Sequence, residues 1–168
     1  MDLWVRSEYA GELAVLSAWI AALLPWSVSA SRVLSGGLLV VRFPFVEVQY
    51  GIGVPFARAV SLTDPLTAAT LQRGTASATG YRVSAVGAAV FAAAVVLSAA
   101  YYLREDRVEA GPVDPVRAMG GLLFAGSLVF GAATLSLFGG FPGLTLPVGV
   151  PLTLALAVVL LLANRPDD

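Results

Sequence analysis

Cysteine, histidine and lysine are all missing from this chain, and each absence removes a class of chemistry. Without cysteine there are no disulfides, thiolate nucleophiles or thioether haem attachments. Without histidine as well, most zinc sites and the imidazole proton shuttle go too. All ten basic residues are arginine, which excludes Schiff-base chemistry, a phosphate-loop lysine and a serine–lysine dyad. Charge of either sign is scarce, at 12% of residues against about 25% in an ordinary soluble protein. What fills the chain instead is apolar: 58% of its 168 residues are hydrophobic and the mean hydropathy is +0.83. A soluble globule of this size has too little interior to hide so much apolar surface. The net charge of −1, with no basic cluster, gives no electrostatic basis for a nucleic-acid partner, and none is expected.

The charge-free runs divide the chain. Between Arg117 and Arg165 no charged side chain occurs, a stretch long enough for two crossings at about 20 residues each. Its middle, Gly139-Gly140-Phe141-Pro142-Gly143, is a natural reversal. A first run lies between Glu12 and Arg32 and another between Arg82 and Arg104. The expected fold is an all-α membrane protein of four transmembrane helices, forming one integral membrane domain over residues 1–168. Its spans cover about 10–30, 81–103, 115–138 and 144–163. Trp26 and the tyrosines Tyr81, Tyr101 and Tyr102 suit membrane interfaces. Gly120, Gly121, Gly126 and Gly131 thin the third span, as tight helix packing in a bilayer requires. Pro147 and Pro151 make the start of the fourth irregular. Val28-Ser29-Ala30 resembles a signal-cleavage site, but Asp2, Glu8 and Glu12 outnumber Arg6 in what would be a basic leader, so the first span is expected to be retained. Glu8 and Glu12 share a helix face at its entrance.

Residues 31–80 form the sizeable loop between spans one and two, expected outside the cytoplasm and structured. Leu38 to Tyr50 is rich in β-branched and aromatic residues, Gly51-Ile52-Gly53 offers a turn, and Val54 to Leu62 follows. This reads as an irregular β-hairpin, or a segment at the membrane surface, with Pro44 and Pro55 confining it to edge positions. Arg42, Glu47 and Arg58 read as a wet strand face and make full lipid burial of the segment costly. A short helix should then run from the cap Asp64 and first-turn Pro65 to Arg73 and Gly74. Asp114 and Pro115 repeat the same start for span three.

The arginines divide evenly between the two predicted sides. The compact Arg104 to Arg117 connection breaks the tie and places both termini in the cytoplasm. Every acidic residue except Glu47 and Asp64 also falls on that side.

No constellation of catalytic, cofactor-binding or metal-ligating residues emerges. The hydroxyls Ser17, Ser98, Ser127, Thr134 and Ser136 should bond a carbonyl one turn back or a neighbouring helix. A serine nucleophile would lack a base. Asp64 and Asp114 precede prolines as helix caps, which disposes of a protease dyad. Gly51-Ile52-Gly53 lacks the third glycine and strand-to-helix context of a phosphate loop.

Trp4-Val5-Arg6-Ser7-Glu8-Tyr9-Ala10-Gly11-Glu12-Leu13, Leu24-Pro25-Trp26, Val41-Arg42-Phe43-Pro44-Phe45 and Pro55-Phe56-Ala57-Arg58 together resemble an uncharacterised family of small multi-pass membrane proteins of halophilic archaea. The resemblance covers most of the first 80 residues and implies no functional residue. The expected function is that of a non-catalytic membrane protein, not an enzyme, acting as an interaction or accessory subunit through its loop and small-residue helix faces. Its partners would be membrane lipids and a protein partner or a second copy of itself. The alternative is a small transporter or channel subunit using hydroxyls, the kinked fourth span and backbone carbonyls instead of charges, and an enzyme acting on lipid through Arg42, Glu47 and Arg58 is the third.

Overall fold

The computed structural model describes residues 9–33, 36–53 and 59–163. Among them the chain forms α1 (Ala10–Leu23), β1 (Ser27–Val33), β2 (Gly36–Arg42), β3 (Glu47–Ile52), β4 (Val60–Thr63) and α2 (Pro65–Leu71). Then follow α3 (Ala78–Leu103), α4 (Glu105–Glu109), α5 (Pro115–Phe138), β5 (Leu144–Leu146) and α6 (Val150–Leu162). The strands make one antiparallel sheet in the order β4-β3-β2-β1-β5. The fold is therefore mixed α/β, and the expectation of an all-α protein with four transmembrane helices is overturned.

The middle two expected spans, 81–103 and 115–138, correspond to α3 and α5, both long and apolar enough to cross a membrane. The outer two do not. The segment 10–30 is helical only to Leu23: Pro25 pushes the residue before it out of the α region, Leu24 is extended at φ −78, ψ 134, and β1 begins three residues later. The segment 144–163 starts as β5, and its helix begins only at Val150, with Pro151 in the first turn. At 1.5 Å per residue, α1 and α6 reach about 20 Å each, against roughly 39 Å for α3 and 36 Å for α5.

The loop 31–80 is also more ordered than a single hairpin. The chain reverses at 43–46, closed by Phe43 N–H donating to the Val46 carbonyl at 2.8 Å, so Leu38 to Tyr50 is two strands. The expected turn at Gly51-Ile52-Gly53 comes one step later, since Gly51 and Ile52 still belong to β3 and Gly53, at φ 66, leaves the strand on the way to β4. The short helix is present as α2. Asp64 accepts from the Leu66 and Thr67 N–H groups at 3.0 Å each, and Gly74 takes φ 81 beyond its end. Those bonds, from the Thr67 hydroxyl first and then from the Thr67 and Leu66 N–H groups, hold the Asp64 carboxyl below its ordinary pKa. A depressed carboxyl stabilises above the unfolded pKa and loses that contribution as pH falls through the folded value. Amide-exchange protection factors across α2, corrected for the intrinsic rate, are thus expected to fall on acidification more in the native chain than in Asp64→Asn. Equal pH dependence in the two would refute this.

Helix α5 runs antiparallel to α3 and to α6, and glycines set the spacing. A Cβ at Gly80 would meet Leu137 at 2.8 Å and one at Gly87 would meet Phe130 at 2.9 Å. At Gly126 it would run into the Phe91 ring, whereas Gly121 has nothing within 4 Å. Gly126→Ala is therefore expected to cost about 1–3 kcal/mol by overpacking. Gly121→Ala should be neutral or slightly stabilising, and thermal unfolding of the two variants side by side checks both.

The buried side chains of α1 are small, Ala10, Gly11, Ala14, Ser17, Ala18, Ala21 and Ala22, while Leu16, Trp19, Ile20 and Leu23 are exposed. The sheet is inverted in the same sense. One face presents Thr145, Ser29, Val40, Gln49 and Ser61 in one cross-strand row and Ser27, Arg42, Glu47 and Thr63 in the next. This polar face turns towards the helices. The opposite face carries Leu146, Val28, Val41, Val48 and Leu62 in one row and Leu144, Ala30, Leu39, Tyr50 and Val60 in the next. It has no partner element among the described residues.

Candidate functional site

Arg42 ends β2 and Glu47 begins β3, directly opposite each other across the Phe43–Val46 reversal. A wet strand face was expected here. Instead Arg42 is 2% and Glu47 5% exposed, because the polar face of the sheet is pressed against α3 and the α5–β5 connection. Arg58, the third member of the expected cluster, lies outside the described residues, as do Arg6, Glu8, Pro55 and Arg165.

The buried pair is compensated. Arg42 Nε lies 2.9 Å from Glu47 Oε2, an ionic contact off the line of the N–H. Nη1 donates to Ser29 Oγ at 2.6 Å, and Nη2 donates to the Tyr81 hydroxyl at 3.0 Å. That hydroxyl in turn donates to Glu47 Oε2 at 2.9 Å. Gln49 Nε2 supplies Glu47 Oε1 at 2.6 Å, and Ser29 Oγ reaches Thr145 Oγ1 at 2.8 Å. The guanidinium also sits 5.3 Å from the ring centroids of both Tyr81 and Phe141. Counting its own strand, five elements or connections of the fold thus meet on one arginine, and β5 joins through Ser29. A planar five-donor fork suits this role, and a lysine would not replace it.

The geometry describes a fastening. Removing two charges from water costs several kcal/mol each, offset only when geometry is good and the remaining donors and acceptors are filled. The cavity beside the pair, lined by Trp26, Phe43, Pro44, Ala68, Tyr81 and Ser84 among others, has a volume of about 10 Å³, close to the minimum for a single water. Below it, Trp26 stacks on Phe130 at 4.9 Å, and Phe130 meets Phe91 edge-on at 5.1 Å.

The other expected residues stand apart from this network. Asp64 caps α2, and Asp114 caps α5 through Val116 N–H at 3.0 Å and lies 3.8 Å from Arg117. Ser98, Ser127, Thr134 and Ser136 donate to carbonyls three or four residues back at 2.7–2.9 Å. Ser127 also reaches Thr153 of α6 at 2.8 Å, and Ser17 is buried. At the far end of the helices the Tyr101 hydroxyl lies 2.9 and 2.8 Å from carboxylate oxygens of Glu105 and Glu109. Among the described residues no group of three acidic side chains could hold a metal ion.

Sequence reasoning missed Ser29, Tyr81 and Thr145, whose meeting depends on tertiary structure. A signal for the central pair was present: opposite charges flanking the apolar, proline-containing Phe43–Val46 turn are placed to face each other across strands. A comparison with curated proteins gives no match. A model described as a family of unknown function (DUF7549) matches residues 3–165, nearly the whole chain, and the chain belongs to that family.

Proposed function

We propose that this chain is an integral membrane protein without catalytic activity, held in the bilayer by α3 and α5 and serving as an interaction or accessory subunit. Sidedness is the observation that carries the reading. Small and polar side chains line the inside of α1 and much of the helix seams, beside a core of Phe91, Phe130, Leu123 and Leu137, while Leu16, Trp19, Val86, Val96, Leu128 and Leu135 point outward from the helices. Only 28% of the most apolar stretch of α3 and 39% of that of α5 are buried, far less than a core helix of a water-soluble protein needs. Small residues at helix seams and large apolar ones outside are the arrangement that lipid favours.

The Arg104–Arg117 connection and both ends of the chain belong on the cytoplasmic side by the distribution of arginine near the helix ends, with the sheet on the other. A halophilic archaeal source is part of the same reading. It is supported by the resemblance noted above, by arginine as the sole basic residue and by the acids gathered at the cytoplasmic end. Partners would be lipids and either another protein or a second copy.

Native mass measurement of the chain released in lipid nanodiscs tests the role. A complex of fixed stoichiometry is expected, and a strictly single copy would overturn the interaction function. The buried Arg42–Glu47 pair favours a second reading, a small transporter or channel subunit, because ionisable groups at membrane depth often mark ion paths. Ion flux in proteoliposomes that Glu47→Gln abolishes would select it.

A further inference from the structure

We infer that the outward face of the sheet seats a second copy of this chain, the two sheets packed face to face about a two-fold axis that runs along β2. This rests on the interaction reading above and not on the membrane one.

Extent is the first argument. Five strands about 4.8 Å apart, with outward rows about 6.6 Å apart, give the face a plan of roughly 24 Å by 17 Å. Its side chains stand proud of that plan, Leu62 being 69%, Leu144 60% and Leu146 50% exposed. Two such faces together bury about 1,000 Å², the range of a specific interface. The row from Leu146 to Leu62 and the row from Leu144 to Val60 hold no charge. Charge appears only at the border, with Arg32 at the far end of β1 and Asp64 just past β4, both exposed. An apolar centre inside a wet, charged rim is the anatomy of a protein interface, and Asp64 keeps water at the end of the sheet nearest the Phe43–Val46 reversal.

The second argument selects a second copy over another protein. β2 is the middle strand, so a two-fold along it lays β1 over β3 and β5 over β4 of the other sheet, row upon row. Leu144 then faces Val60, Leu39 faces its own copy, and Ala30 faces Tyr50; in the neighbouring row Leu146 faces Leu62, Val28 faces Val48, and Val41 faces its own copy. The smallest side chain of the face thus meets the largest, twice per dimer, as an isologous contact requires. In the third row Gly37 meets Gly37, and the Arg32 stem lies along Ile52 at the rim. A two-fold running across the strands does worse: it sets Tyr50 against Tyr50 or Val48 and leaves Ala30 over a gap. Aligned sheets pack about 10 Å apart, a separation that such large-on-small pairs fill.

The absence of cysteine makes the test direct. The purified chain is used in liposomes, or in buffer should it prove water-soluble. Leu39→Cys lies at the axis with about 10 Å between copies, too far for a disulfide but within reach of a bis-maleimide of matching length, and should cross-link to a dimer. Leu62→Cys stands about 19 Å from its own copy across the strands and should not, whereas mixed Leu62→Cys and Leu146→Cys chains should. Dimer affinity is then measured by energy transfer between labelled chains on dilution. Ala30 is exposed, so Ala30→Tyr spares the single chain, yet by overpacking it should weaken the dimer about tenfold or more. Adding Tyr50→Ala, which exchanges the large and small partners, should restore affinity to within a few-fold. Cross-linking of Leu62→Cys alone, without Leu39→Cys, would mean pairing along the open edge of β4 and overturns the inference while leaving the interaction reading. A dimer indifferent to Ala30→Tyr, or a single copy holding a different protein, does the same. A single copy bound to nothing overturns both.

Discussion

Arg42→Ala is expected to destabilise the protein by about 3–5 kcal/mol, the range for stripping one partner from a buried ion pair. The substitution leaves Glu47, 5% exposed, with a charge whose remaining contacts are the Tyr81 hydroxyl and Gln49, and it takes one donor each from Ser29, left with Thr145, and from Tyr81, left with Glu47. Glu47→Ala should cost a similar amount by stranding the guanidinium. The double replacement Arg42→Met with Glu47→Leu removes both charges while keeping volume, and is expected to recover most of the loss, because a well-packed apolar pair is often as stable as a buried ionic one. Thermal unfolding in detergent or nanodiscs of the native chain, Arg42→Met, Glu47→Leu and the double replacement measures this as a double-mutant cycle. Additive losses would show that the two side chains do not act as a unit.

Phe130→Ala should be nearly as damaging, at about 3 kcal/mol or more. The ring is 1% exposed, stacked on Trp26 and edge-on to Phe91, and it fills the gap that Gly87 leaves. Its loss opens a cavity at the point where helices and sheet meet, and large-to-small aromatic changes in cores cost about 3–5 kcal/mol. In lipid the transfer component shrinks, leaving the lost packing as the main contribution. Leu135→Ala on the same helix, at 70% exposure, is the contrast: lying outside the packed core, it should change stability little. If Leu135→Ala proved as costly as Phe130→Ala, the assignment of inside and outside on α5 would fall.

Features set by neighbouring residues were legible in the sequence. Asp64-Pro65 and Asp114-Pro115 announced two helix starts correctly, since a cap and a first-turn proline act within three residues. The cores of α3 and α5 were legible from composition, because their charge-free apolar runs are long. Segments 10–30 and 144–163 failed because apolar content does not distinguish a helix from a strand. Leu24-Pro25 already disfavoured helix at the break, and Ser27, Ser29 and Ser31 alternate with Val28, Ala30 and Arg32 at the period of a strand. The placement of Arg42 was illegible for a different reason. A rule that charged residues face water holds for sheets laid on an apolar core, whereas this sheet turns its polar side inward, and only the meeting of Ser29, Glu47, Tyr81 and Thr145 in three dimensions reveals it.

Alkaline carbonate extraction of native membranes followed by ultracentrifugation is the most direct measurement of whether lipid, and not water, surrounds these helices. The chain is expected to remain in the pellet and to be released only by detergent. Recovery of a monodisperse, detergent-free protein in the supernatant would contradict it.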